Sequence, residues 1–185
     1  MVRPLLLLFL LNGITLNAQV VTWGQGVHGG DSSSVASELS SGVSTIYSNR
    51  YAFAALKDDG SVVTWGSSYD STDGSYSVIS EGDLSSVASE LSSGVSSIYS
   101  TEYAFAALKN DGSVVTWGDV FSGGDSSSVA SELSSGVSTI YSNWSVFAAL
   151  KDNGSVVTWG RSNRGSDSSS VASELSSGVS SIYPY

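Results

Sequence analysis

The 185-residue chain contains no cysteine, so disulfides, thiolate metal sites and cysteine nucleophiles are excluded. It has two prolines and a single histidine, His28. A Ser–His–Asp triad would have only His28 to use, and no Gly-x-Ser-x-Gly elbow accompanies the plentiful serines. Basic residues are scarce: seven Lys and Arg against seventeen Asp and Glu, a net charge of −10. Nucleic acid and anionic lipid are therefore not expected partners, because both require clustered cations. The acidic excess reads as a solvated surface that keeps repeats apart. No apolar run is long enough for a comfortable membrane span. Long amphipathic helical patterns are missing as well, and the Gly- and Ser-rich composition suits short strands joined by tight turns.

The N-terminus carries the longest apolar stretch. In residues 1–19, MVRPLLLLFLLNGITLNAQ, Arg3 supplies a positive start, residues 5–11 an apolar core and Ala18 a small residue for cleavage. This pattern predicts a secretory signal peptide over 1–19 and a secreted or extracellular product. The alternative is a cytoplasmic protein.

What the remaining chain has is repetition. Residues 51–66, YAFAALKDDGSVVTWG, return at 103–118 as YAFAALKNDGSVVTWG and at 145–160 as SVFAALKDNGSVVTWG, and residues 20–24 keep only VVTWG. The Trp-Gly pairs begin at Trp23, Trp65, Trp117 and Trp159, spaced by 42, 52 and 42 residues. The longer spacing carries a ten-residue insertion between Ser67 and Ser80. A period of this size means a solenoid or propeller array, in which each unit is stable against its neighbours. Residues 20–185 form one repeat domain, with repeats at about 23–64, 65–116 and 117–158 and a partial one at 159–185.

Within a unit the local pattern is β. VSTIYS (43–48), YAFAAL (51–56) and SVVTW (61–65) read as three strands. Asp59-Gly60, Asp111-Gly112 and Asn153-Gly154 fall between the second and third, where a tight antiparallel turn needs positive φ. Both faces of YAFAAL are apolar, so the strand is expected to be buried on both sides. Sheets packed face to face satisfy that demand, as propeller blades do. The linker DSSSVASELSSG reads as an irregular outer fourth strand, with a short helical turn capped by Asp31 or Ser34 as the alternative. All four Trp of the Trp-Gly pairs are expected in the core.

The pattern Gly42-Val43, Ile46, Ala55-Leu56, Asp59-Gly60, Val62 and Trp65-Gly66 resembles the regulator of chromosome condensation repeat. The piece Trp-Gly-x4-Gly matches at Trp23-Gly24 to Gly29, Trp117-Gly118 to Gly123 and Trp159-Gly160 to Gly165. The resemblance covers residues 20–185 almost throughout. It implies four-stranded propeller blades, usually seven, used for protein interaction. This chain is long enough for an all-β, partial (open) propeller of about three to four antiparallel blades. It departs from the family in using Asn49, Thr101 and Asn143 where the family often has a glycine, a position for left-handed backbone that Thr does not readily adopt. Ala52-Phe53, Ala104-Phe105 and Val146-Phe147 replace a frequent His-Thr, exchanging polar ties for apolar packing. None of these positions carries over the exchange-factor activity of the founding member.

Candidate sites lie where the chain does not repeat. The insert, expected to be a long surface loop, places Tyr69, Asp70, Asp73 and Tyr76 together as a partner patch. Asp70, Asp73, Glu81 and Asp83 fail the D-x-D-x-D-G alternation of a calcium loop, so no metal is expected. Trp144 is the one Trp outside the Trp-Gly pairs. The matching positions hold Arg50 and Glu102, so no Trp cluster or chromophore forms and Trp144 reads as an exposed aromatic contact. Asn143 and Asn153 head glycosylation sequons, with Asn153 on a hairpin tip. No catalytic residue and no cofactor is expected. The expected function is a non-enzymatic module that binds an unknown protein partner. It is also expected to self-associate through terminal blades. The alternatives are a fragment of an intracellular regulatory propeller, or an enzyme with its site on the 67–80 insert.

Overall fold

The computed structural model describes residues 19–70, 77–80 and 86–183. The signal-peptide pattern of residues 1–19 lies outside them save for Gln19. The chain is all-β, a partial, open propeller with three antiparallel blades among the described residues. The first sheet contains β1 (Val43–Ser48), β2 (Ala52–Lys57), β3 (Val62–Asp70) and β4 (Ser77–Ser80) in that order. The second contains β5 (Val95–Ser100), β6 (Ala104–Lys109) and β7 (Val114–Gly118). The third contains β8 (Val137–Ser142), β9 (Val146–Lys151) and β10 (Val156–Gly160).

The strands follow the alternating and β-branched segments, and the same register recurs. Phe53 pairs with Trp65, Phe105 with Trp117 and Phe147 with Trp159. Each pair stacks with ring centroids 5.2 Å apart. Phe53, Phe105 and Phe147 thus give every blade an aromatic pair, and burying a large ring contributes about 2–3 kcal/mol.

Blades pack face to face. Ala52, Ala54, Leu56 and Val62 of the first meet Leu91, Val95, Ile98, Phe105, Ala107 and Trp117. Ala104, Ala106 and Leu108 of the second meet Leu133, Val137, Ile140, Phe147, Ala149 and Trp159. Small Ala residues opposite large rings let adjacent sheets approach, and the central strands β6 and β9 are buried on both faces as expected. The outward face of the first blade differs. Val20, Val35 and Leu39 cover it, and Val43, Ile46 and Phe53 are only half-buried where Val95, Ile98 and Phe105 are enclosed.

Backbone bonds stitch the units along the turn end. Val95 N–H donates to Gly60 O at 3.0 Å, Val137 to Gly112 at 3.0 Å and Val179 to Gly154 at 2.9 Å. Gly60 has φ 78°, and a Cβ there would sit 2.8 Å from Gly94 N, so turn geometry and neighbour both require glycine.

Three expectations are corrected. The linker is not a fourth strand. It forms short 3₁₀ turns, among them Ser33–Val35, Ser127–Val129 and Ser169–Val171. The reason is local: Asp31, Asp125 and Asp167 accept the N–H of the serine two residues on, at 2.8–3.1 Å, which bends the backbone away from extension. One bond per linker still reaches the outer strand, as in Val62 N–H to Leu91 O at 3.0 Å. The insert is not a plain loop: β3 runs on to Asp70 and returns as β4, with Tyr69 opposite Val78 and Asp70 opposite Ser77. Trp23 is not core. It is 44% exposed, against 2–4% for Trp65, Trp117 and Trp159, because within the described residues no strand pairs with residues 20–24.

Candidate functional site

The end of the array opposite the Asp-Gly turns gathers the residues that break the repeat. It is built from loops 49–51, 101–103 and 143–145, which join the first and second strands of each blade, and from loops 25–30, 119–124 and 161–166, which follow the Trp-Gly pairs. The first set is shaped by its leading residue. Asn49 Oδ1 accepts the N–H groups of Tyr51 and Ala52 at 2.9 and 2.8 Å, and Asn143 Oδ1 those of Ser145 and Val146 at 3.1 and 3.0 Å. Thr101 Oγ1 accepts from Ala104 N at 3.1 Å and donates to Ser122 O at 2.9 Å. Side-chain acceptors, which Asn and Thr share, shape all three turns.

The three loops are bonded in sequence across the blades. Arg50 N–H donates to Glu102 O at 3.1 Å, and Glu102 N–H to Trp144 O at 3.0 Å. Beneath this runs an aromatic row: His28 stacks on Tyr51 at 5.0 Å and Tyr51 on Tyr103 at 5.7 Å. The Arg50 guanidinium lies 5.6 Å and 5.9 Å from the centroids of the two tyrosines. It pairs with the Glu102 carboxylate and donates to Tyr103 Oη at 3.1 Å. The hydrogen bond to Glu102 holds the Arg50 pKa above its usual value. Desolvation, with Glu102 alongside, pushes the Tyr103 phenol up to about 12. Both groups therefore keep their protons at neutral pH.

Trp144, on the last of the three bonded loops, is 65% exposed; Phe121, on the loop after the second blade, is 49% exposed. Ser145 O accepts from Arg161 N at 3.1 Å, which brings the 161–166 loop against Trp144's own loop. Arg161 and Arg164 are both exposed there. Two of the loops that follow a Trp-Gly pair also lock a later blade. Gly29 O accepts Trp65 Nε1 and Gly123 O accepts Trp159 Nε1, both at 3.1 Å.

Of the residues singled out from the sequence, Trp144 lies at this end on the third blade. Tyr69 and Asp70 lie on the β3 extension of the first, while Asp73 and Tyr76 lie outside the described residues, as do Glu81 and Asp83. Asn143 shapes the Trp144 loop. Asn153 sits exposed on the β9–β10 turn, with its Oδ1 accepting Ser155 N and Oγ at 2.9 and 2.7 Å. The Arg50–Glu102 pair, the aromatic row and Arg161/Arg164 were not singled out. Arg50 and Glu102 were named only as the positions matching Trp144; aligning the repeats position by position also flags 161 and 164 among the places where charge changes between copies. Among the described residues no group of three or more His, Asp or Glu could hold a metal ion. No helix among them is long and apolar enough to cross a membrane.

No family model and no curated protein matches the chain. Among solved structures it is similar to the ectodomain of the receptor kinase CR4 from Physcomitrella patens, with 17% identity and a TM-score of 0.39, over 64% of this chain and 29% of that one. It is also similar to human WBSCR16, with 21% identity and a TM-score of 0.39, over 64% of this chain and 33% of that one. The chain thus spans about a third of the length of either structure.

Proposed function

We propose that the chain is a non-enzymatic interaction module of the regulator of chromosome condensation repeat type, secreted, which binds another protein through the loop end of its blades. The observation that carries this reading is the placement of Trp144 and Phe121, both exposed, on a rigid hydrogen-bonded set of loops. Interfaces take most of their energy from such aromatic anchors, and loops on a fixed scaffold hold them at low entropic cost. The repeated residues are absorbed in packing and turns, which leaves recognition to the positions that differ between copies. The test is affinity capture from the extracellular fluid of the source with wild-type protein and a Trp144→Ser/Phe121→Ser variant. A partner retained by the wild type and lost by the folded variant is expected; equal recovery by both refutes the reading. Secretion is checked separately by mass spectrometry of the native N-terminus, where a start near Gln19 is expected and an intact Met1 opposes it.

Self-association through the terminal blades belongs to the same proposal. Its support is the half-covered face of Val43, Ile46 and Phe53. Light scattering that shows a monodisperse monomer at high micromolar concentration overturns it.

A further inference from the structure

Most of the cations in the described residues are spent within the fold. Lys57 and Lys109 donate to the carbonyls of Glu38 and Glu90 at 2.6 and 2.7 Å, and Lys151 donates to that of Glu132. Arg50 is held by Glu102 and Tyr103. Arg161 and Arg164 alone have no side-chain partner among the described residues, and both are exposed. They leave one tight turn, with Arg164 N–H donating to Arg161 O at 3.0 Å, on the loop bonded to Ser145 beside the exposed Trp144. The matching positions of the other loops are Gln25 and His28, and Asp119 and Ser122. Among the described residues of a chain with net charge −10, the uncompensated positive charge therefore lies on the loop bonded to that of its most exposed Trp.

From this we infer that the Trp144–Arg161–Arg164 corner is a docking surface for an acidic protein segment, with carboxylates on the two guanidiniums and an apolar side chain on the indole. Guanidinium groups fit carboxylates through paired N–H donors, and Trp with Arg is the composition of interface hot spots. Nucleic acid is the poorer fit. Its affinity comes from many neutralised phosphates, which two arginines on a strongly acidic body do not supply. The inference rests on the loop end being the interaction surface and adds the chemistry of the partner.

The test is fluorescence anisotropy with three labelled probes: a short synthetic peptide of alternating Glu and Leu, the same peptide with Lys for Glu, and a single-stranded DNA oligonucleotide. The Glu–Leu peptide is expected to bind the full chain in preference to the other two. Arg161→Glu with Arg164→Glu should weaken it about tenfold or more, and Trp144→Ser about fivefold. Circular dichroism and the urea midpoint should stay unchanged, since these side chains are exposed. No binding of the Glu–Leu peptide, equal binding by the folded double-arginine variant, or preference for the Lys peptide or DNA overturns the inference. A captured partner that is lost with Trp144→Ser/Phe121→Ser but unaffected by the arginine changes sinks this inference and leaves the interaction reading standing.

Discussion

Three glycines at one repeat position form a built-in series for testing how the blades lock. Gly29, Gly123 and Gly165 each follow a Trp-Gly loop with left-handed φ of 78°, 95° and 109°. Replacing any of them by Ala imposes the backbone penalty of a Cβ in that region, about 1–2 kcal/mol. Their surroundings differ. A Cβ on Gly123 would lie 2.6 Å from Phe147 Cδ2, in a ring that is fully enclosed. The ring cannot move without disturbing the Phe147–Trp159 stack, so an overpacking cost of about 1–3 kcal/mol is added. A Cβ on Gly29 would lie 2.4 Å from Phe53 Cδ2, but Phe53 is half-buried and can yield. At Gly165 nothing lies within 4 Å, so the backbone term stands alone. The expected order of destabilisation is Gly123→Ala, at about 2–5 kcal/mol, then Gly29→Ala, then Gly165→Ala at about 1–2 kcal/mol. Urea unfolding followed by Trp fluorescence measures it, with global fits that allow for the local cooperativity of repeats. If Gly165→Ala costs as much as Gly123→Ala, the packing of loop against aromatic ring does not lock the blades.

The turn carboxylates set an acid limit. Hydrogen bonds from Ser61 and Ser113, side chain first and then backbone, lower the pKa of Asp59 and Asp111 from 3.8. A depressed folded pKa means that this stabilisation is present above the unfolded value and is lost as pH falls through the folded one. The urea midpoint should therefore drop below pH 4, and Asp59→Asn/Asp111→Asn should flatten that drop, because Asn153 already makes the same two bonds without titrating. Thr116 Oγ1 ties the outer strand of the second blade to Gly124 O at 3.1 Å and Ser126 Oγ at 3.0 Å. Thr116→Val should lower stability by about 1–2 kcal/mol in the same denaturation assay. On secretion from a eukaryotic host, peptide mapping should find glycan at Asn153, exposed on its turn, in preference to Asn143, whose sequon serine, Ser145, is buried. The reverse occupancy would contradict the accessibility argument.

The architecture was largely legible because repetition multiplies weak signals. One YAFAAL segment is ambiguous between helix and strand. Three copies, each followed by Asp-Gly or Asn-Gly and ending in Trp-Gly, define a hairpin whose turn demands positive φ, and its two apolar faces demand neighbours on both sides. Where the outcome depended on a single local hydrogen bond the pattern was silent. The linker could have been strand or turn, and the Asp31 carboxylate on Ser33 N–H decided for the turn. Trp23 carries the same motif as Trp65, yet burial depends on a paired strand, which no pentapeptide encodes.

The candidate site shows the same division. The 42-residue period and the strand-turn-strand unit follow from sequence alone, since they rest on side-chain periodicity and on the φ preference of glycine. That Arg50, Glu102 and Trp144, which lie a repeat apart from one another, come to share one bonded edge was decided by tertiary structure. The same holds for Arg161 reaching the Trp144 loop through Ser145, and for Lys57, Lys109 and Lys151 being tied to carbonyls while Arg161 and Arg164 are left free. Those neighbours are set by how one sheet stacks on the next, a relation between distant residues to which each local segment is blind.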